Sequence, residues 1–205
     1  PQPVARGRPR PGRQDDRQLA DIVASELQLI DAAKAGSADA FADLVRNYRE
    51  RLLRFLLTRC ASLADAEDVL QDTLINAYRY IHSYDSRWRF STWLYRIAIR
   101  NAGKLRGPDF VDVDSVGNLH DEENDPLLQC IAESERENLW VVARRLLNDD
   151  VFAAMWLRYA EDMSVNDIST ALDRSVSWTK VNLMRGRRAL DEELNDAAER
   201  SEAYG

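Results

Sequence analysis

The sequence predicts an all-α protein: two small helical domains joined by an acidic linker, the second built around a helix-turn-helix. Three observations predict it. Four of the six prolines lie in the first eleven residues and the others are Pro108 and Pro126, so the long stretches between are free to run as helices. Within those stretches apolar residues recur at helical spacing, and no segment shows strand alternation. Between residues 107 and 138, ten acids stand against the single base Arg136, and the first two-thirds of that stretch read as a linker. The expected organisation is a disordered basic tail over 1–18, a first domain over 19–107, an acidic linker over 108–135 and a second domain over 136–205.

The first helix carries Leu19, Ile22, Val23, Leu27 and Ile30 inward and ends near Gly36, a natural residue to follow a helix C-terminus. The second holds Phe41, Leu44, Val45, Tyr48, Leu52, Phe55 and Leu56, at offsets 0, 3, 4, 7, 11, 14 and 15, one amphipathic face. The third is expected to bury Leu70, Leu74, Ala77 and Ile81, with Asp65 as its cap and Asp68 in the first turn, where acid suits the helix dipole. A fourth starts near Ser91 and turns Trp93, Leu94, Ile97 and Ala98 inward. In the second domain Leu139, Val142, Ala143, Leu146 and Leu147 line one helix. Phe152, Met155, Trp156 and Tyr159 line the next, capped at Asp149 or Asp150. Ser164 with Asp167 forms a capping box in which Asp replaces Glu. Ile168, Ala171 and Leu172 face inward; the chain turns at Asp173–Arg174; and Ser175 caps a last helix that buries Thr179, Leu183, Gly186 and Leu190. Two short helices with a tight turn, the second one basic, read as a helix-turn-helix.

Composition narrows the function. The chain has 205 residues, 45% hydrophobic and 31% charged, with a net charge of −7, so it can bury a core. It has no Gly-rich phosphate loop, no GxSxG and no HExxH, so no catalytic residue is expected. Two cysteines, Cys60 and Cys130, and two histidines, His82 and His120, form no ligand cluster; neither a metal nor a cofactor is expected. No apolar run approaches the roughly 18 residues of a membrane span, and the basic N-terminus lacks an apolar core. The expectation is a cytoplasmic protein without membrane insertion.

Charge is distributed, and the distribution is informative. Arg79, Arg87, Arg89, Arg96, Arg100, Lys104 and Arg106 lie near one acid, Asp85, and Tyr80, Tyr84, Trp88, Phe90, Trp93 and Tyr95 interleave with them. Cations hold a phosphate backbone, and each base stacked on an aromatic face is worth about 1–3 kcal/mol. Extracting one base from a duplex costs a few kcal/mol, so a basic aromatic loop feeding a basic helix is equipped to hold a melted strand. A second basic cluster is Arg174, Lys180, Arg185, Arg187 and Arg188. Trp178, Val181, Asn182 and Arg185 point outward there, the face a recognition helix offers to a major groove. The stretch DAEDVLQDTL over 65–74 is the opposite: an acidic stripe that would repel phosphate and suits a basic protein surface.

These residues together resemble the bacterial RNA polymerase sigma factors of the two-domain extracytoplasmic-function (ECF) type, over about residues 30–195. AFADLVRNYRERLLRFL resembles the start of the family's region 2 and DAEDVLQDTLINAY its region 2.2. FSTWLYRIAIRNAGKLR resembles regions 2.3 to 2.4, and DISTALDRSVSWTKVNLMRGRRAL region 4.2. The resemblance implies that Asp65, Glu67, Asp68, Gln71 and Asp72 dock on core polymerase at its β′ clamp helices, with the β flap a further contact. It implies that Tyr84, Arg87, Trp88, Arg89, Phe90, Trp93, Arg96, Arg100, Asn101 and Lys104 melt and read the −10 element. It places −35 contacts at Arg174, Ser175, Ser177, Trp178, Lys180, Asn182, Arg185 and Arg188. It also implies promoter DNA as ligand, an anti-sigma factor as partner, and a linker whose carboxylates mimic RNA in the polymerase exit path. The sequence departs from the family where recognition helices often read SxGTVKSRLxRAR: here it is SVSWTKVNLMRGR, and Asp173 occupies a turn position where glycine is common, so no −35 sequence follows. The rival readings are a stand-alone helix-turn-helix regulator and an all-helical adaptor.

Overall fold

The computed structural model describes residues 13–105 and 135–203, with side chains over 24–104 and 139–196. Residues 108–134 of the expected linker, with His120 and Cys130, and the first twelve residues of the expected tail lie outside the described residues. What is described is helical throughout, with no strand. The helices are α1 (Arg13–Lys34), α2 (Ala38–Leu57), α3 (Leu63–Arg79), α4 (Phe90–Leu105), α5 (Glu135–Leu146), α6 (Asp149–Tyr159), α7 (Val165–Leu172) and α8 (Val176–Ala203), with a 3-10 turn at Ile81–Ser83. Contacts divide the chain into two compact units, residues 1–47 and 48–205.

In the first unit α1 begins at Arg13, ahead of the boundary expected at residue 19. It ends as the sequence predicts. Gly36 has φ +98°; its N–H donates to Ala33 O and that of Ser37 to Ala32 O, closing the orphan carbonyls in a Schellman motif. Ser37 then caps α2, its Oγ accepting from Ala40 N at 3.2 Å. Ile30, Phe41, Leu44 and Val45 are buried. Leu27, expected inward, is 44% exposed.

In the second unit α2 buries Leu52, Phe55 and Leu56 completely, and Phe55 meets Tyr95 edge-on at 5.2 Å, a favoured aromatic geometry. The cap of α3 is Ser62, not Asp65: Ser62 Oγ accepts from Asp65 N at 3.0 Å and donates to the Asp65 carboxylate at 2.8 Å. Ser62 and Asp65 thus form a reciprocal box one turn earlier than expected. α4 packs on both α3 and α7.

The C-terminal helices build their core on α6, in which every residue from Val151 to Leu157 is buried. Trp140, Phe152 and Trp156 cluster there, with Trp140–Trp156 centroids 4.9 Å apart. The α6 cap is Asn148, whose side chain accepts from Val151 N at 2.9 Å. Asp149 instead faces the buried Arg144 at 2.8 Å. In α5 Leu146, expected inward, is exposed, and Arg144, two residues earlier, is 4% exposed. Tyr159, expected inward, is 51% exposed at the fraying end of α6. The helix-turn-helix is α7–turn–α8. Ser164 caps α7 by accepting from Asp167 N, and Asp173 takes the left-handed conformation at φ 57°. Aspartate tolerates that region better than most residues. Ser175 caps α8 through Trp178 N at 3.1 Å, and α8 packs on α5, α6 and α7.

Candidate nucleic-acid interface

Three surfaces follow from these elements. The first is the outer face of α3. Burial of Ala66, Val69, Leu70, Thr73 and Ala77 turns Glu67, Asp68, Gln71 and Asp72 into water. Asp65 is half-buried because its carboxylate is engaged by Ser62. The acidic stripe is therefore four side chains on a helix face, with a fifth at its root.

The second surface is the loop before α4 and α4 itself. Arg87, Trp88 and Arg89 are exposed, with Trp88 at 39%. The loop is held tightly: Tyr84 Oη donates to Trp88 O at 2.6 Å, and the Asp85 carboxylate accepts from Arg87 N at 3.0 Å and Nε at 2.7 Å. Arg100 and Lys104 are exposed one turn apart. Tyr84, Phe90 and Asn101 were expected to touch DNA, and the structure buries all three. Tyr84 and Phe90 pack against each other at 5.6 Å and each against Trp93 at 5.6 Å, so two of the aromatics that look available in sequence support the third. Asn101 donates to Thr73 Oγ1 at 3.3 Å and its Oδ1 faces Asn76 and Lys104 at 3.4 Å. Its side chain thereby links α4 to α3 and reaches Lys104. Trp93 is partly accessible.

Arg96 is not open to solvent as Arg100 is. Its guanidinium lies 3.7 Å from the Asp173 carboxylate. One turn before it, buried Thr92 donates to Asp167 Oδ1 at 3.0 Å. Nearby, Glu161, with 3% of its side chain exposed, pairs with Arg51 of α2. Burial first, and then the Glu161 carboxylate, push the Tyr95 hydroxyl far above the ordinary tyrosine range. Sequence reading missed Arg51, Thr92, Glu161 and Asp167 as members of this seam. The only local signals were a polar residue on the buried face of α4 and an acid at the end of an apolar helix.

The third surface is the exposed side of α8. Ser177, Lys180, Val181, Met184, Arg185, Arg187 and Arg188 are exposed. Asn182 is half-buried and donates to Trp178 O at 3.0 Å. Trp178 lies under the Arg174 guanidinium, 5.5 Å from its ring, and Arg174 also binds the Asp150 carboxylate through Nε at 3.0 Å. Arg188 pairs with Glu192 at 2.7 Å. The opposite side is fully packed: Thr179 and Leu183 are buried, and Gly186 lies against Met155 and Val151. Among the described residues no group of His, Cys, Asp and Glu is arranged to hold a metal ion, and no helix is long and apolar enough to cross a membrane.

An all-helical chain with an acidic helix face, a basic aromatic loop and a C-terminal helix-turn-helix defines the class. The chain belongs to the ECF RNA polymerase sigma factors. Residues 44–104 match the Sigma-70 region 2 family. The chain is 30% identical over 181 residues to the ECF RNA polymerase sigma factor SigW of Bacillus subtilis (strain 168), covering 82% of this chain and 95% of that protein. It is 31% identical over 181 residues to the RNA polymerase sigma-H factor of Pseudomonas aeruginosa, covering 82% and 93%. With the ECF RNA polymerase sigma-E factor of Escherichia coli (strain K12) it shares 29% over 191 residues, 86% and 95% of the two chains. The solved structure of CnrH in complex with the cytosolic domain of CnrY is similar in fold. Its TM-score is 0.62 at 20% identity, over 84% of this chain and 98% of that one.

Proposed function

We propose that this chain directs core RNA polymerase to its promoters, docking through the outer face of α3, holding melted −10 DNA against the 87–89 loop and α4, and reading the −35 element with α8. The observation that carries this reading is the exposure of Glu67, Asp68, Gln71 and Asp72 together on the helix that packs beneath basic α4. Carboxylates there repel a phosphate backbone, so the face suits a basic protein surface brought to the DNA. Two domains, over 19–107 and 136–205, divide this work. Within the −10 set, Trp88, Arg87, Arg89, Trp93, Arg100 and Lys104 meet the strand, and Tyr84, Phe90 and Asn101 hold them in position. Within the −35 set, the exposed Ser177, Lys180, Arg185 and Arg188 face the DNA from α8, and Trp178 and Arg174 shape the entrance of the helix. An anti-sigma partner belongs to the reading, since such a protein covers surfaces that polymerase and DNA would use.

The experiment is a titration of the purified chain with bacterial core RNA polymerase. Tight binding that is lost in Asp68→Arg, with the helical circular-dichroism spectrum unchanged, is the expected result. Equal binding by Asp68→Arg would remove the α3 face from the interface. No binding by the native chain would leave a stand-alone helix-turn-helix regulator as the better reading.

A further inference from the structure

We propose that Val181 and Met184 are specificity residues of α8: they read the C5-methyl groups of thymines in the major groove of the −35 element. The inference rests on the −35 reading above and names the base that this helix selects.

The positions come first. Ser177, Val181, Met184 and Arg188 lie at offsets 0, 4, 7 and 11 along α8, one stripe of a helix. At 3.6 residues per turn this stripe lies opposite the side that carries Thr179, Leu183, Gly186 and Leu190, which are all buried. Val181 is 40% exposed and Met184 57%. By the same helical period Lys180 and Arg187 flank the stripe on one side and Arg185 on the other, and all three are exposed. The outermost line of the helix thus has two apolar side chains at its middle and cations along both edges. Neither the charge nor the stability of an exposed helix asks for them there. Valine is among the weaker helix formers, and burial in this chain does not repay it.

The chemistry selects one base. A helix in a major groove has phosphates along its edges and base edges beneath its middle. Cations at the edges therefore meet phosphate, and the middle meets the bases. Of the four bases only thymine offers a methyl group in that groove; adenine, guanine and cytosine offer polar donors and acceptors. An apolar side chain over a polar edge displaces water and supplies no hydrogen bond, which is unfavourable. The same side chain over a thymine methyl buries apolar surface. Val181 is short and stiff because it branches at Cβ, and Met184 is long and adaptable, so the two can reach different methyls. Asn182, of a type suited to read adenine, donates instead to Trp178 O at 3.0 Å. An A·T pair under this helix is then read from its thymine. Two side chains cover far less than the roughly 800 Å² per partner of a stable protein interface, and cations on both edges suit phosphate, so a duplex groove fits this face better than a protein does.

The test uses holoenzyme assembled from the full chain and core polymerase. The holoenzyme selects duplexes from a random-sequence DNA library, and the selected set yields its preferred −35 element. Each thymine of that element is then replaced singly by deoxyuridine, which removes the methyl and leaves the hydrogen-bonding groups unchanged. Kd is measured for each duplex at one fixed salt concentration, with the native chain, Val181→Ala and Met184→Ala, each checked for folding by circular dichroism. Residues three apart rise about 4.5 Å along a helix, and successive bases of a strand about 3.4 Å. The native holoenzyme should therefore bind the uracil duplex roughly 4-fold more weakly at two positions, one or two steps apart. Val181→Ala should abolish the difference at one position and Met184→Ala at the other. A selected element without thymine, or equal binding of thymine and uracil duplexes, would overturn the proposal. A uracil penalty that both variants retain in full would assign the methyls to other groups and also overturn it. Weaker binding of core polymerase by the variants, with thymine and uracil duplexes bound alike, would make the pair a protein contact and overturn it too. Selection of no upstream element by the native holoenzyme would refute the −35 reading itself, a result separable from failure of methyl reading.

Discussion

Two glycines in helices make a matched pair. A Cβ added at Gly103, in α4, meets nothing within 4 Å. A Cβ added at Gly186, in α8, would lie 3.1 Å from both Cγ and Sδ of Met155 and 3.3 Å from Cγ1 of Val151. Alanine is the better helix former by about 0.8–1.0 kcal/mol at an interior position. Gly103→Ala should therefore stabilise the chain by roughly 0.5–1 kcal/mol. At Gly186 the same gain is opposed by overpacking, which costs about 1–3 kcal/mol. Met155 can yield in part because its thioether is flexible, but it is 3% exposed and Val151 7%, so the room to yield is small. Gly186→Ala should come out between neutral and about 2 kcal/mol destabilising. Urea unfolding followed by circular dichroism reads both, as a midpoint shift at constant m-value. Equal stabilisation by the two alanines would refute the reasoning, since it would mean that α8 does not approach α6 as closely as Gly186 allows.

Other expectations concern DNA reading and pH. Arg185→Ala should weaken discrimination at one −35 base pair, worth about 1–3 kcal/mol if the contact is bidentate, in promoter-directed transcription with core polymerase; unchanged promoter choice removes it from the reading set. Tyr95 is raised above its unfolded value by burial and by Glu161. Its contribution is therefore complete below the ordinary tyrosine pKa of about 10 and is lost as pH rises above it toward the folded value. Tyr95→Phe should flatten the loss of stability in that alkaline window, measured as thermal midpoint against pH; an unchanged slope would assign the alkaline loss to other groups.

Much of the fold was legible because its determinants are local. The α2 face from Phe41 to Leu56, the Gly36 terminus and the Ser164 capping box depend on residues within a turn or two of one another, and the structure has each of them as expected. The places where the reading slipped are also informative. Asp65, Asp149 and Asp150 are all good capping residues by type, yet Ser62 and Asn148 hold the caps, and the carboxylates of Asp65 and Asp149 face Ser62 and Arg144 instead. Leu27, Leu146 and Tyr159 sit at apolar positions of their patterns and are exposed, because a helical period names a face but not where the neighbouring helix ends.

The candidate surfaces divide in the same way. By itself the sequence determined that α3 would be acidic outside, that the 84–90 loop would be basic and aromatic, and that α8 would carry outward arginines. Charge and periodicity are properties of a single element and survive whatever it packs against. Only the tertiary structure decided that Tyr84 and Phe90 sit beneath Trp93 rather than beside a base, that Asn101 ties α4 to α3, and that Thr92 meets Asp167. The Thr92–Asp167 bond joins residues 75 positions apart, with the acidic linker and the helices α5 and α6 between them in sequence. Which polar side chain satisfies another at that separation depends on how whole helices pack, and no window of sequence contains both partners.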